Sequence, residues 1–211
     1  PIGEAAHIDQ ALRACADADV VVLASDTCPA PGWLERLAGC AARDPGIGTA
    51  TPWCNAGEVA AWPRIAEVAP LPDAPARLAR ACASLAGETA HLPAAVSHAV
   101  FLRGDALARA GGLDGASFRS WQAALVDLSL RFAGMGWRNV LCAEAFVARP
   151  REGMPADGDM DALAVRWPAW HARLATFLMD DPLHALRGRL ATAVARLQDA
   201  PPQADLFASV P

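Results

Sequence analysis

Lysine and tyrosine are absent from this 211-residue chain. All 18 of its basic side chains are therefore arginine. Any phosphate contact or ion pair falls to a guanidinium, an imidazole or a backbone N–H. Positive charge is also in deficit overall, with a formal net charge of −5. No stretch interleaves basic and aromatic residues, which argues against a nucleic-acid interface. The acidic balance likewise disfavours docking on anionic lipid by charge. No apolar run approaches the roughly 18 residues needed to cross a bilayer. The six cysteines, Cys15, Cys28, Cys40, Cys54, Cys82 and Cys142, form no C-x-x-C pair and fit no zinc module. With no signal-peptide pattern at the start, they are expected to be reduced thiols in a cytoplasmic protein.

What is present suits a packed core. Hydrophobic residues make up 54% and charged residues 19%, which excludes global disorder, and the length fits one large domain or a domain with an appendage. The organising stretch is Val20-Val21-Val22-Leu23-Ala24-Ser25-Asp26-Thr27. Its branched apolar run reads as a strand buried on both faces. Ser25 and Asp26 then fall at the strand's C-terminal end, where open α/β sheets bind ligands. Asp26 has two readings, a hard oxygen ligand for a divalent cation and a cap on the turn through Thr27 and Pro29.

Helical spacing predicts a helix over residues 3–16, with His7 either facing a ligand or, as is commoner for a lone His on an amphipathic helix, serving as surface or core filler, and a second over 31–43 with Trp33, Leu34, Leu37, Cys40 and Ala41 as its stripe. Short strands are expected at 47–51 and 95–102, and helices at 76–85 and 105–110, the last ending at Gly111-Gly112. Residues 151–159 read as a polar linker, 160–199 as a helical pair broken at Asp180-Asp181-Pro182, and 200–211 as a disordered tail. Arg187, Arg189 and Arg196 on the last helix read as a solvated face, the alternative being contacts to an anionic acceptor or a lipid phosphate.

Several segments, in order, resemble family 2 glycosyltransferases. Asp19 to Leu37 is similar to the strand that ends in an Asp-x-Asp or Asn-Ser-Asp-Thr motif, followed by Pro-x-Trp-Leu and a helix. Asp44 to Glu58 is similar to the family's Asp-x-x-Ile-Gly-x-Val-x-Pro segment and its Asn-containing loop. Ala99-Val-Phe-Leu-Arg103 with Gly111-Gly-Leu-Asp114 resembles an apolar strand, an Arg and a Gly-Gly-Phe-Asp turn, and Asp127 to Trp137 resembles the helix that closes the active site. Together they span roughly residues 10 to 150. Farther on, Trp167-Pro168-Ala169-Trp170 and the Asp-Pro-Leu ending at Leu183 resemble a C-terminal extension of some members. The resemblance implies an α/β, truncated GT-A-like (Rossmann-like) fold: a mixed, mostly parallel sheet flanked by helices over residues 1–150, with a C-terminal helical extension. The family's first, nucleotide-cradling strands have no counterpart here. That implies either a missing N-terminal portion of a longer protein or a chain without a nucleotide pocket. The free sheet edge left behind would favour pairing into a homo-oligomer.

The resemblance also implies a chemistry: transfer of a sugar from a nucleotide-sugar to a saccharide acceptor, with Mn or Mg at Asp26. Ser25, Asp26 and Arg149 would hold cofactor and diphosphate, and Trp53, Asn55, Glu58, Trp62 and His98 would line the sugar and acceptor side. The competing readings are a lid packed by the two Trp residues and a hydrogen-bonded core role for His98. The sequence departs from the family where chemistry is needed. Ala124 and Leu125 stand in place of the acidic pair that supplies the general base, Ala24 in place of a first motif acid, and Arg149 in place of a His. A base must be titratable. Asp127, three positions from Ala124 and roughly on its helix face, is the remaining candidate, against a solvated i,i+4 pair with Arg131. The expected function is thus a glycosyltransferase-like domain that is degenerate in this chain; the alternative is a noncatalytic saccharide-binding or partner-organising module.

Overall fold

The structure is a computed structural model and describes residues 3–15, 18–56 and 58–199. In chain order the elements are α1 (Glu4–Ala14), β1 (Val20–Leu23), β2 (Cys28–Pro29), α2 (Trp33–Ala42), β3 (Ile47–Trp53), α3 (Pro75–Ala83), β4 (Thr89–His91), β5 (Ala99–Leu102), α4 (Gly104–Ala110), α5 (Trp121–Gly134), β6 (Arg138–Ala148), α6 (Asp159–Arg166), α7 (Trp170–Asp180) and α8 (His184–Asp199). The strands form one sheet in the order β1-β5-β3-β6-β2, with β4 also paired to β6.

The chain is α/β with a mixed sheet flanked by helices, but the sheet is mostly antiparallel, not mostly parallel. Only β3 and β6 run parallel; β1–β5, β3–β5, β4–β6 and β2–β6 are antiparallel. The continuous apolar runs that suggested parallel strands report only that both faces are covered. On β5, Val100 and Leu102 pack to one side and Phe101 to the other.

The burial expected for the strand at Val20–Leu23 is also corrected. The centre of the sheet is β3, whose seven residues are all buried, whereas β1 forms one end of the order. Val20 and Val22 pack on one face and Val21 on the other, but all three are only half-buried and Leu23 is 39% exposed. Four β-branched or apolar residues suffice for a strand; they do not say how many neighbours it has.

Helix α2 covers one face of the sheet through Leu37, Cys40 and Ala41. Helices α1, α4, α5 and α6 contribute to a cluster on the other side, and α3 and α8 pack with Trp53, Leu141 and Phe146. At Gly48 the sheet and α5 approach so closely that a Cβ would lie 2.8 Å from Phe132 Cδ2 and from Trp137 Cβ. Arg103 ties the end of α2 to the start of β3, its Nε donating to Ile47 O (2.6 Å) and its Nη2 to Ala41 O (2.7 Å) and Asp44 O (3.0 Å).

The C-terminal segment holds three helices where two were expected, because Pro168 as well as Pro182 interrupts it. It is anchored by buried charges. The Asp159 carboxylate accepts from the backbone N–H groups of Arg119 and Ser120 and from the Ser120 hydroxyl. Burial works against its charge, but those bonds outweigh it and hold the Asp159 carboxyl below its ordinary value. Arg187 does not join a solvated face. It is 5% exposed and donates to Ala61 O (2.7 Å), Val59 O (3.0 Å) and Asp181. The tail over 200–211 lies outside the described residues. No helix among the described residues is long and apolar enough to cross a membrane.

Candidate functional site at the end of β1

A cavity of about 570 Å³ opens where β1 ends. Val22, Leu23, Ala24, Ser25 and Asp26 form one wall; Arg149 and Arg151, beyond the end of β6, form another. Trp121 and Gln122 at the start of α5, with Glu4 and His7 of α1, close it.

Asp26 is the charged centre. Its Oδ1 accepts from Arg149 Nε at 2.8 Å, and Arg151 Nε lies 3.5 Å from Oδ2. The Arg149 side chain is 11% exposed, whereas that of Arg151 is 80% exposed and free to swing away. Asp26 Oδ2 and Gln122 Oε1 are buried without a hydrogen-bond partner among the described residues. Unpaired buried acceptors cost free energy until a donor reaches them.

Asn55 sets the geometry of this pair. Its Oδ1 accepts from the Arg149 backbone N–H at 2.7 Å, and its Nδ2 donates to Arg149 O (2.9 Å) and Ala69 O (2.7 Å). The amide thus pairs with the backbone of Arg149 much as a neighbouring strand would. Asn55, 2% exposed, positions the guanidinium and does not itself face the cavity.

The other expected sugar-side residues are placed elsewhere. Trp53 is fully buried with the Arg187 guanidinium 5.7 Å from its ring centroid. Trp62 packs edge-on against Phe146, centroids 6.5 Å apart. Glu58 is exposed. His98 is 1% exposed, with Nε2 3.0 Å from Pro52 O. A carbonyl only accepts, so Nε2 carries the proton. Burial, opposed by that bond, pushes the imidazole down to about 4. The cavity is lined by none of these four.

Asp127 is fully buried and its oxygens are taken. Oδ2 accepts from Arg131 Nε at 2.9 Å; Oδ1 accepts from Trp167 Nε1 at 2.9 Å and Arg166 Nη1 at 3.3 Å. The i,i+4 pair with Arg131 is therefore formed, inside the protein and not in solvent. Ala124 and Leu125 are both fully buried in the adjoining cluster.

The residues at the cavity do not fit a divalent cation. Asp26 offers one carboxylate with a guanidinium against each oxygen, and Mn or Mg needs several oxygen donors. Among the described residues, no group of three His, Cys, Asp or Glu ligand atoms within reach of one another includes Asp26.

Sequence reasoning found Ser25, Asp26, Asn55 and Arg149, which the structure joins at or behind one cavity. It missed Arg151, Trp121, Gln122 and Glu4, and it weighed His7 as facing a ligand but favoured surface or core filler. Glu4 has a local role, its Oε2 accepting from the Trp121 backbone N–H at 3.0 Å at the start of α5. No spacing signal links residues 4, 26, 121 and 149; they meet only through the fold. No family model matches the sequence, and comparison with curated proteins gives no match.

Proposed function

We propose that this chain is a family 2 glycosyltransferase-like domain of truncated GT-A type that binds an anionic sugar derivative, of the nucleotide-sugar class, at the end of β1 without transferring the sugar. The observation that carries the reading is that Arg149 and Arg151 share one cavity with two buried acceptors, Asp26 Oδ2 and Gln122 Oε1, that have no hydrogen-bond partner among the described residues. Guanidinium groups suit phosphate oxygens. Asp26 Oδ2 and Gln122 Oε1 accept hydrogen bonds from sugar hydroxyls once the exposed Arg151 side chain moves aside. The base that the family resemblance left for transfer is unavailable, since Asp127 is consumed by Arg131, Arg166 and Trp167, and the cavity does not fit a metal.

Calorimetric titration with UDP-hexose, with and without Mn²⁺, tests this reading. Binding that does not depend on Mn²⁺, is lost in Arg149→Ala/Arg151→Ala, and is accompanied by no release of UDP to saccharide acceptors is expected. Absence of binding at millimolar ligand overturns the assignment of the cavity, and acceptor-dependent UDP release overturns its noncatalytic part.

A further inference from the structure

We propose that Cys40, Cys142 and Glu144 form a buried site for a thiophilic divalent cation of the zinc class, held between α2 and β6 on the sheet face opposite α5. The site is independent of the cavity at β1. Cys142 and Glu144 lie two residues apart on β6, on the side that Val140 also presents to α2, and Cys40 meets them from the helix. The two Sγ atoms and a Glu144 oxygen lie within 4.8 Å of one another, and the three residues are 1%, 0% and 6% exposed.

Spacing and charge both favour such an ion. A tetrahedral zinc with Zn–S bonds of about 2.3 Å sets its two sulfurs about 3.8 Å apart, so the three donors converge with only small side-chain movement. Two thiolates and a carboxylate carry three negative charges. A divalent cation leaves one, and Arg43, already bonded to Glu144 Oε1, neutralises it. A cluster this deeply buried tolerates no uncompensated charge, which selects a divalent ion over a monovalent or trivalent one. The Arg36 carbonyl, 3.8 Å from Cys142 Sγ, stands beside the sulfurs as a further oxygen. Each cysteine binds as a thiolate, so a thiol gives up its proton to solvent as it takes the ion. Cys54 and Cys82 are also buried, but they stand outside any such group among the described residues, and burial pushes their thiols up to about 11 and about 12.

The test uses the full chain with the exposed Cys15 and Cys28 replaced by serine, so that surface thiols contribute nothing. After chelator treatment under reducing conditions, Cd²⁺ should give an ultraviolet thiolate-to-metal band that saturates at one equivalent with the intensity of two thiolates. Zn²⁺ should compete it away and raise the melting temperature by roughly 5 °C or more at a hundredfold excess over its dissociation constant. Cys40→Ser and Cys142→Ser, each folded by circular dichroism, should abolish the band and the shift. Glu144→Gln should weaken Zn²⁺ binding at least tenfold with the band retained at high Cd²⁺. A chelator-treated protein without a band, a band that survives in the Cys40→Ser/Cys142→Ser protein, or a Cys40–Cys142 disulfide formed in preference to metal binding overturns the proposal.

Discussion

Arg149 reaches Asp26 across the end of the sheet, Nε to Oδ1 at 2.8 Å, and its backbone is gripped by Asn55 on the other side. The three residues come from three chain segments, and Asn55 is the member whose loss leaves the most groups unpaired. Its removal strands the Arg149 N–H and two carbonyls in a part-buried place. Asn55→Ala should destabilise the protein by about 2–4 kcal/mol, from roughly 1 kcal/mol for each lost bond plus the cost of unpaired groups. Urea denaturation measures it. A loss under 1 kcal/mol would mean that solvent reaches these groups, contrary to the 2% exposure of Asn55.

Asp127 binds the C-terminal segment to the core. Trp167 and Arg166 sit at the end of α6, and both donate to its Oδ1, while Arg131 on α5 holds Oδ2. Asp127→Asn keeps the volume and removes the charge. Breaking a buried ion pair from one side costs about 3–5 kcal/mol; with Arg166 37% exposed and able to rehydrate, about 2–4 kcal/mol is expected. Amide exchange should rise across α6 before it rises in β3. Equal protection of α6 in the variant would sink the anchoring role.

The legible part of the fold was local. The apolar stripe of α2, the Gly111-Gly112 stop after α4 with φ of +76° and +83°, and the β-branched run of β1 depend on residues close in sequence, and each element formed near its expected place. Strand direction and order were not legible, because burial on both faces is shared by parallel and antiparallel central strands. β4, at three residues, carries too little pattern to stand out, and β2 has only two. At the cavity, Asp26 could be singled out by its position at a strand end and Arg149 by the family resemblance. Whether they faced a metal or each other depended on a contact spanning 123 residues. The same holds for Asp127, whose partners Arg166 and Trp167 lie in a segment that sequence reading set apart from the core.

Gly48 has a packing reason with no counterpart in any turn. A Cβ there would lie 2.8 Å from both the Phe132 ring and Trp137 Cβ, with Phe132 fully buried. Phe132 has no open space to retreat into, and the Trp137 contact is at its Cβ, which moves only with the backbone. Gly48→Ala should therefore cost about 1–3 kcal/mol through overpacking, although alanine lowers the entropy of the unfolded chain. Thermal melting decides the sign: a variant as stable as the parent would show that α5 can move off the sheet.

His98 gives the protein a pH dependence of its own. It is buried with Nε2–H donating to Pro52 O, Nδ1 has no partner among the described residues, and burial holds the ring neutral down to about 4. In the unfolded chain the same imidazole titrates near 6.5. Between these values the unfolded state binds a proton that the native state refuses, so stability rises with pH across this window and falls on acidification. The gap corresponds to about 3 kcal/mol at pH 4 relative to pH 7. Below about 4 the folded ring protonates as well, and the loss from this group levels off. His98→Gln, whose amide N–H can still donate to Pro52 O, removes the titration and keeps the bond. Denaturation midpoints at pH 7, 6, 5 and 4.5 should fall steadily in the parent and by distinctly less in the variant. Parallel curves for the two proteins would show that His98 is protonated within the fold, and so that water reaches Nδ1.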